Sequence, residues 1–126
     1  MTRLDITKRY HFEAAHWLPN VRDGHRCKRC HGHNYEIEVC VTGPLDPAGF
    51  IIDFWDLDDI VQPLIEIVDH RTLNDIQGLE NPTAELIAEW FLAQITNRLR
   101  KAEGFTFQVR SIRVFETKDC WATVTT

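Results

Sequence analysis

The hydrophobic spacing of this chain changes period twice, and that restricts the fold more than any other feature. Near the N-terminus Leu4, Ile6, Tyr10 and Phe12 alternate with polar residues, as in a strand with one buried face. From His31 to Val41 the two faces separate more sharply. His31, His33, Tyr35, Ile37, Val39 and Val41 fall on one side; Asn34, Glu36, Glu38 and Cys40 fall on the other. From Asp56 the spacing turns helical, with Leu57, Ile60, Val61, Leu64 and Val68 on one stripe. A second helix carries Leu86, Ile87, Trp90, Ile95 and Leu99 on its inner side. Strand spacing returns over about Thr106 to Glu116 and Cys120 to Thr125. The order ββααββ predicts one α+β domain over residues 1–126, a four-stranded antiparallel sheet with two helices on one face.

Punctuation supports this division. Asp53 or Asp56 is placed to cap the first helix, and Pro63 should kink it by removing a backbone bond. Asn81-Pro82 reads as a cap followed by a first-turn proline, and Gly104 as a stop. Alternation slips near Arg110-Ser111, which predicts a bulge. A four-stranded sheet has two open edges, so association between subunits is expected.

With 126 residues, 44% of them apolar, the chain can bury a core without staples. Its first ten residues carry Arg3, Asp5, Lys8 and Arg9 and lack a signal-peptide apolar run. No stretch approaches a membrane span, so the expectation is a cytoplasmic protein. A net charge of −5 argues against general nucleic-acid binding. Arg22, His25, Arg26, Lys28 and Arg29 nevertheless form a local basic loop, suited to an anionic small molecule or simply to solvent. The four cysteines are Cys27, Cys30, Cys40 and Cys120. In a cytoplasmic setting, metal binding or catalysis is a better expectation for them than disulfides.

His31-Gly32-His33 is the sharpest local motif. Residues two apart on a strand face one way, so both imidazoles can grip one ion. His16 shares the parity of Phe12 and Ala14, and a hairpin of the first two strands would bring it alongside. Three imidazoles leave one position of a zinc ion open, as catalytic rather than structural sites do. A competing reading uses Cys27-Lys28-Arg29-Cys30 with the histidines as half of a closed structural site, but no second half follows downstream.

Other residues offer chemistry. Cys27 lies in the basic loop, where positive charge raises the thiolate fraction. Asp69-His70 is either a helix end with a dipole-favoured histidine or a carboxylate that orients an imidazole. Glu116 has the parity of Ile112 and Val114. A carboxylate on that apolar side needs a partner, unless it is an exposed strand end.

Together these residues resemble the family of 6-pyruvoyl-tetrahydropterin and 6-carboxy-tetrahydropterin synthases. The matching pieces are Phe12-Glu13-Ala14-Ala15-His16, then Gly24-His25-x-Cys27 and His31-Gly32-His33-Asn34, then Ile52-Asp53-Phe54. Asp69-His70-x-x-Leu73-Asn74, Asn81-Pro82-Thr83-x-Glu85 and Glu116-Thr117 complete them. The resemblance implies a tunnelling fold whose trimers stack into a homo-hexamer, with sites between subunits. It implies zinc on His16, His31 and His33, and Cys27 as acid or base working with Asp69 and His70. It also implies that Glu116 anchors the pterin, helped by Thr83, and that the substrate is 7,8-dihydroneopterin triphosphate. No nucleic acid or membrane partner is implied.

The three-residue gap from Cys27 to His31, and Gly78-Leu79-Glu80-Asn81-Pro82-Thr83, resemble the carboxy-forming branch of queuosine and 7-deazaguanine synthesis. That branch would release acetaldehyde and triphosphate. The 6-pyruvoyl branch, another tunnelling-fold enzyme such as a cyclohydrolase or aldolase relative, and a structural-zinc interaction module are the alternatives. Cys30 departs from the family pattern.

Overall fold

A computed structural model describes residues 2–102 and 104–126. Strand β1 (Asp5–His16) and strand β2 (His31–Thr42) form a long antiparallel hairpin, in register from Asp5 opposite Thr42 to His16 opposite His31. Helix α1 (Phe54–Val68), a short strand β3 (Arg71–Thr72) and helix α2 (Ala84–Lys101) follow. Strands β4 (Gln108–Thr117) and β5 (Cys120–Thr125) close the chain. The sheet order is β3-β1-β2-β4-β5.

The α+β class and the ββααββ frame agree with the sequence, with one addition. The sheet has five strands because β3 pairs in parallel with Ala14 and Ala15 of β1. Two residues are too short to show a period, which is why the spacing gave no sign of them. Strand β1 also runs on to His16, past the expected end at Phe12.

Several local expectations are refined. Asp53 caps α1, its carboxylate accepting from the Trp55 N–H at 2.7 Å. Helix α1 continues through Pro63 as one segment. Asn81-Pro82 is not the cap of α2. Thr83 fills that role, its hydroxyl accepting from the Leu86 N–H, and Pro82 stands just outside. Leu86 is exposed, while Phe91 takes the inward place the stripe omitted. The bulge falls where alternation slipped: Cys40 faces Ser111 and Val41 faces Val109, leaving Arg110 as the extra residue.

The core lies between one sheet face and the two helices. Tyr10, Phe12, Tyr35, Ile37 and Val39 meet Leu57, Val61, Leu64, Ile87 and Phe91. Phe12 stacks on Tyr35 with centroids 4.9 Å apart and also touches Phe91. A polar clasp joins β1 to α1. The Tyr10 hydroxyl and the Lys8 ammonium both donate to the Asp58 carboxylate, at 2.8 and 2.7 Å. Burial pushes the Tyr10 phenol up, and the hydrogen bond to Asp58 adds to that. Burial alone would push Asp58 up, but the bonds from Lys8 and Tyr10 prevail and hold it below the usual range. Among the described residues, no helix is long and apolar enough to cross a membrane.

The clasp can be tested directly. Asp58→Ala is expected to cost about 1–3 kcal/mol, because a buried hydroxyl is left unpaired. Adding Tyr10→Phe removes that hydroxyl and should return part of the loss in urea unfolding. Because its folded pKa is lowered, the contribution of Asp58 is present above the ordinary aspartate range. It is lost as pH falls through the lowered value. Equal stability of Asp58→Ala and the double variant would show that the Tyr10 bond contributes nothing.

Candidate metal centre

The β1–β2 hairpin brings three imidazoles to one end of the sheet. His16 and His31 are direct cross-strand partners, and His33 lies two residues along on the same face. The rings meet edge to face, with centroids 4.6 to 5.1 Å apart. Their ligating atoms and a Glu116 oxygen all lie within 4.8 Å of one another. His16 is fully buried, and the other three are half-buried.

Backbone carbonyls set the ring tautomers. His16 Nδ1 donates to the Pro82 carbonyl at 2.9 Å, and His31 Nδ1 to the Arg29 carbonyl at 2.7 Å. In a neutral imidazole the proton is then on Nδ1, and Nε2 carries a lone pair. The two Nε2 atoms face each other at 3.1 Å. Two lone pairs at that distance repel unless a cation lies between them. The spacing suits a shared ion, since metal–nitrogen bonds of about 2.0–2.1 Å in a tetrahedron put nitrogens about 3.3 Å apart.

His33 Nε2 is a buried atom without a hydrogen bond. It lies 2.9 Å from Glu116 Oε1, but off the direction in which the ring could donate. Burial foremost pushes the His33 pKa down, against the pull of Glu116, and so favours the neutral, ligating form. Glu116 is held below the usual carboxylate range by the three histidines, His16 foremost, when their rings carry charge, and against the effect of burial. At 3.6 Å the His16–Glu116 contact is too long for a hydrogen bond. Three imidazole nitrogens, two with tautomers fixed from outside, therefore fit a zinc-type ion, with the Glu116 carboxylate beside it.

Glu116 reaches this position through a break in pairing. Phe115 faces Trp121 and Thr117 faces Cys120, so Glu116 is the unpaired residue of a second irregularity. The side-chain parity was legible in the sequence; the nearness to all three histidines was not.

A cavity of about 580 Å³ opens beside the cluster, lined by His31, His33, Glu116, Cys27, Arg26 and Arg29 among others. Cys27 lies on a 3₁₀ turn (Arg26–Lys28) whose start is closed by His25 Nδ1 accepting from the Cys27 N–H. Lys28 is drawn to Asp23 at 2.6 Å and does not line the cavity. Of the basic loop, Arg26 and Arg29 are the side chains that face it.

Asp69 and His70 lie elsewhere. His70 lines a second cavity of about 510 Å³, with Glu13 and Arg71, and His33 lines both cavities. Asp69 Oδ1 accepts from the Glu13 N–H at 2.9 Å, and Oδ2 lies 3.0 Å from His70 Nδ1. The Glu13 N–H foremost, then His70, hold the Asp69 carboxyl low; Asp69 in turn raises His70. His70 has φ of 57°, a left-handed conformation that a non-glycine residue adopts at a cost. Asp69 also closes α1 through its N–H to the Ile65 carbonyl, so it ends the helix and touches the imidazole at once. Within one chain, Cys27 and His70 thus line separate cavities, with Asp69 behind His70. Thr83 is not brought to the first cavity either, its hydroxyl being the cap of α2.

Sequence reasoning did not find the carbonyls of Pro82 and Arg29, because a carbonyl has no side-chain signature. It also left Asn74 unexplained. The Asn74 amide accepts from the Trp17 N–H and donates to the Trp17 carbonyl, tying the chain just past His16 to the segment after β3.

The family model for 6-pyruvoyl tetrahydropterin synthase matches residues 5–126. A 6-carboxy-5,6,7,8-tetrahydropterin synthase of Synechocystis sp. is 40% identical over 96 residues, covering 71% of this chain and 73% of that protein. A dihydroneopterin monophosphate aldolase of Pyrococcus furiosus is 36% identical over 96 residues, covering 76% and 75%. The 6-pyruvoyl tetrahydropterin synthase structure of Caenorhabditis elegans superposes with a TM-score of 0.86 at 23% identity, covering 100% of this chain and 97% of that one. On this agreement of motif order, fold and family model, the chain belongs to the 6-pyruvoyl tetrahydropterin synthase family and has its tunnelling fold.

Proposed function

We propose that this chain is a zinc-dependent 6-carboxy-5,6,7,8-tetrahydropterin synthase, a carbon–carbon lyase of queuosine and 7-deazaguanine synthesis. It would convert 7,8-dihydroneopterin triphosphate to the carboxy-tetrahydropterin, acetaldehyde and triphosphate. The observation that carries the reading is the convergence of His16, His31 and His33, with tautomers fixed for ligation, on a cavity that holds Cys27 and Glu116. Curated relatives bearing the carboxy-synthase name support the branch.

His16, His31 and His33 would hold the zinc. When bound, the ion supplies Lewis-acid polarisation of substrate side-chain oxygens. Cys27 moves a proton on the substrate side chain, from the wall of the same cavity. Glu116 carries its charge at neutral pH and accepts from the N–H donors of the amino-pyrimidine ring. Arg26 and Arg29 give the anionic tail a positive rim. Asp69 orients and charges His70, which suits that ring to proton transfer. Because His70 faces another cavity within its own chain, a second copy of the chain would bring its Asp69-His70 to Cys27, in a cytoplasmic homo-hexamer. Thr83 acts at one remove: it caps α2 directly after Pro82, whose carbonyl orients His16.

A structural-zinc module is disfavoured, because neither Cys27 nor Cys30 belongs to the converging cluster among the described residues. The Pyrococcus furiosus relative keeps an aldolase reading in play.

Four outcomes are expected. Zinc-loaded protein given 7,8-dihydroneopterin triphosphate should release acetaldehyde with a carboxylated tetrahydropterin. A pyruvoyl product, or turnover of the monophosphate to a different aldehyde, would assign another branch. Cys27→Ala should lower kcat by about 10²–10⁴-fold with zinc content unchanged; loss of zinc in that variant would make Cys27 a ligand. His16→Ala should lose zinc, read by atomic absorption after dialysis. In the wild type, the His33 pKa lies below its ordinary 6.5, which favours its neutral, ligating form in mild acid, so zinc should be released only as pH falls below that value. Release already above pH 6.5 would contradict this assignment.

A further inference from the structure

Cys27 and Cys30 line the same cavity wall, three residues apart, and the catalytic reading uses only the first. The turn that carries them is pinned at both ends. The Cys27 N–H donates to His25 Nδ1 at 3.0 Å, and the Cys27 carbonyl accepts from the Leu18 N–H at 2.8 Å. The Arg29 N–H closes the turn on the Arg26 carbonyl at 3.2 Å, and the Arg29 carbonyl is held by His31. Between the cysteines, Lys28 is helical and Arg29 is extended, at φ −83° and ψ 145°. Both thiols therefore sit on one short turn of the same cavity wall, and a disulfide between them requires their Cα atoms to come within about 4.4–6.8 Å. Cys30 is exposed and Cys27 half-buried, so a small oxidant meets Cys30 first.

The other thiols are placed less well. Cys40 sits in mid-sheet opposite Thr7 and Ser111. Cys120 lines the cavity from the β4–β5 turn, but it belongs to a distant part of the chain. Cys27 and Cys30 instead share one short turn.

We infer that Cys27 and Cys30 form a reversible oxidation site for hydrogen peroxide, which closes as an intrachain disulfide across the turn. The Cys30 thiolate attacks the peroxide O–O bond; the distal oxygen leaves as hydroxide and becomes water, and Cys30 becomes a sulfenic acid. The Cys27 thiolate then attacks the Cys30 sulfur, the S–O bond breaks, and hydroxide leaves as a second water. Two thiols lose two electrons and the peroxide gains them. The disulfide shields Cys27 from the irreversible sulfinic stage, and a cellular dithiol restores it. The consequence for turnover rests on the synthase reading; the disulfide itself does not.

The test uses full-length, zinc-loaded protein treated with hydrogen peroxide, then alkylated and digested with trypsin. Cleavage after Lys28 and Arg29 separates the two cysteines unless sulfur joins them. A Cys27–Cys30 linked pair, released by dithiothreitol, is the expected result. Turnover should vanish with peroxide and return with dithiothreitol. Cys30→Ser should keep basal turnover, but peroxide should then carry Cys27 to the sulfinic acid, with no recovery. A Cys27–Cys120 link, a link between chains, or sulfinic acid at Cys27 in the wild type with Cys30 still alkylated would overturn the proposal. If the protein turns over no pterin at all, the peptide map still decides the disulfide, so the two readings fail separately.

Discussion

The Pro82 carbonyl accepts a proton from His16 Nδ1, and the Arg29 carbonyl accepts one from His31 Nδ1. Each bond leaves Nε2 as a lone pair aimed at the other. Much of the architecture serves these two contacts. Pro82 stands in place because Thr83 caps α2 directly after it. Arg29 stands in place because the 3₁₀ turn closes on Arg26 and the Cys27 carbonyl ties back to Leu18. The hairpin supplies the rings from adjacent strands, and α2 and the basic loop supply the acceptors from outside. Three separate parts of the chain must therefore fold before two imidazoles hold the right tautomer. An outer ring of acceptors of this kind commonly decides whether histidines ligate at all.

The electrostatics follow from the same arrangement. Glu116 is the one carboxylate in the cluster, and Arg26 and Arg29 sit across the same cavity. The cavity is thus acceptor-rich at the metal end and cationic at the loop. A ligand with N–H donors at one end and an anion at the other suits it. On the far side of His33, Asp69 braces the Glu13 backbone and the His70 ring together, at the cost of a left-handed His70. A strained residue with a raised imidazole pKa is an unusual thing to keep on an exposed edge, unless it meets something there.

What the sequence revealed, and what it hid, divides along physical lines. Strand parity placed His31, His33, Tyr35 and Ile37 on one face, and burial follows that parity through Val41. It also placed Glu116 inward. These are local, periodic properties, so a single sequence carries them. Strand β3 was hidden because two residues have no period. The true cap of α2 was hidden because Asn81, Pro82 and Thr83 each satisfy a capping rule, and only tertiary contacts choose Thr83. Likewise, Leu86 and Phe91 both fit an apolar stripe; the position of the sheet decides which is buried. The separation of Cys27 from Asp69-His70 was beyond any pattern in one chain, since it is a property of the folded edges.

The cluster is also a conflict between function and stability. Without a cation, His16 and His31 face each other with lone pairs, and His33 Nε2 is a buried atom with no hydrogen bond. A core of the same shape without those three nitrogens would carry none of these costs. The sequence offsets them nearby: Phe12 stacks on Tyr35 directly beneath the rings, and Tyr10 and Asp58 clasp β1 to α1. Asn74 secures the chain just past His16 by bonding both backbone groups of Trp17. A rigid surround of this kind keeps the histidines from relaxing apart, so their repulsion is retained in the fold. A cation held there would relieve that repulsion in addition to making its own bonds, and its binding would then contribute to folding.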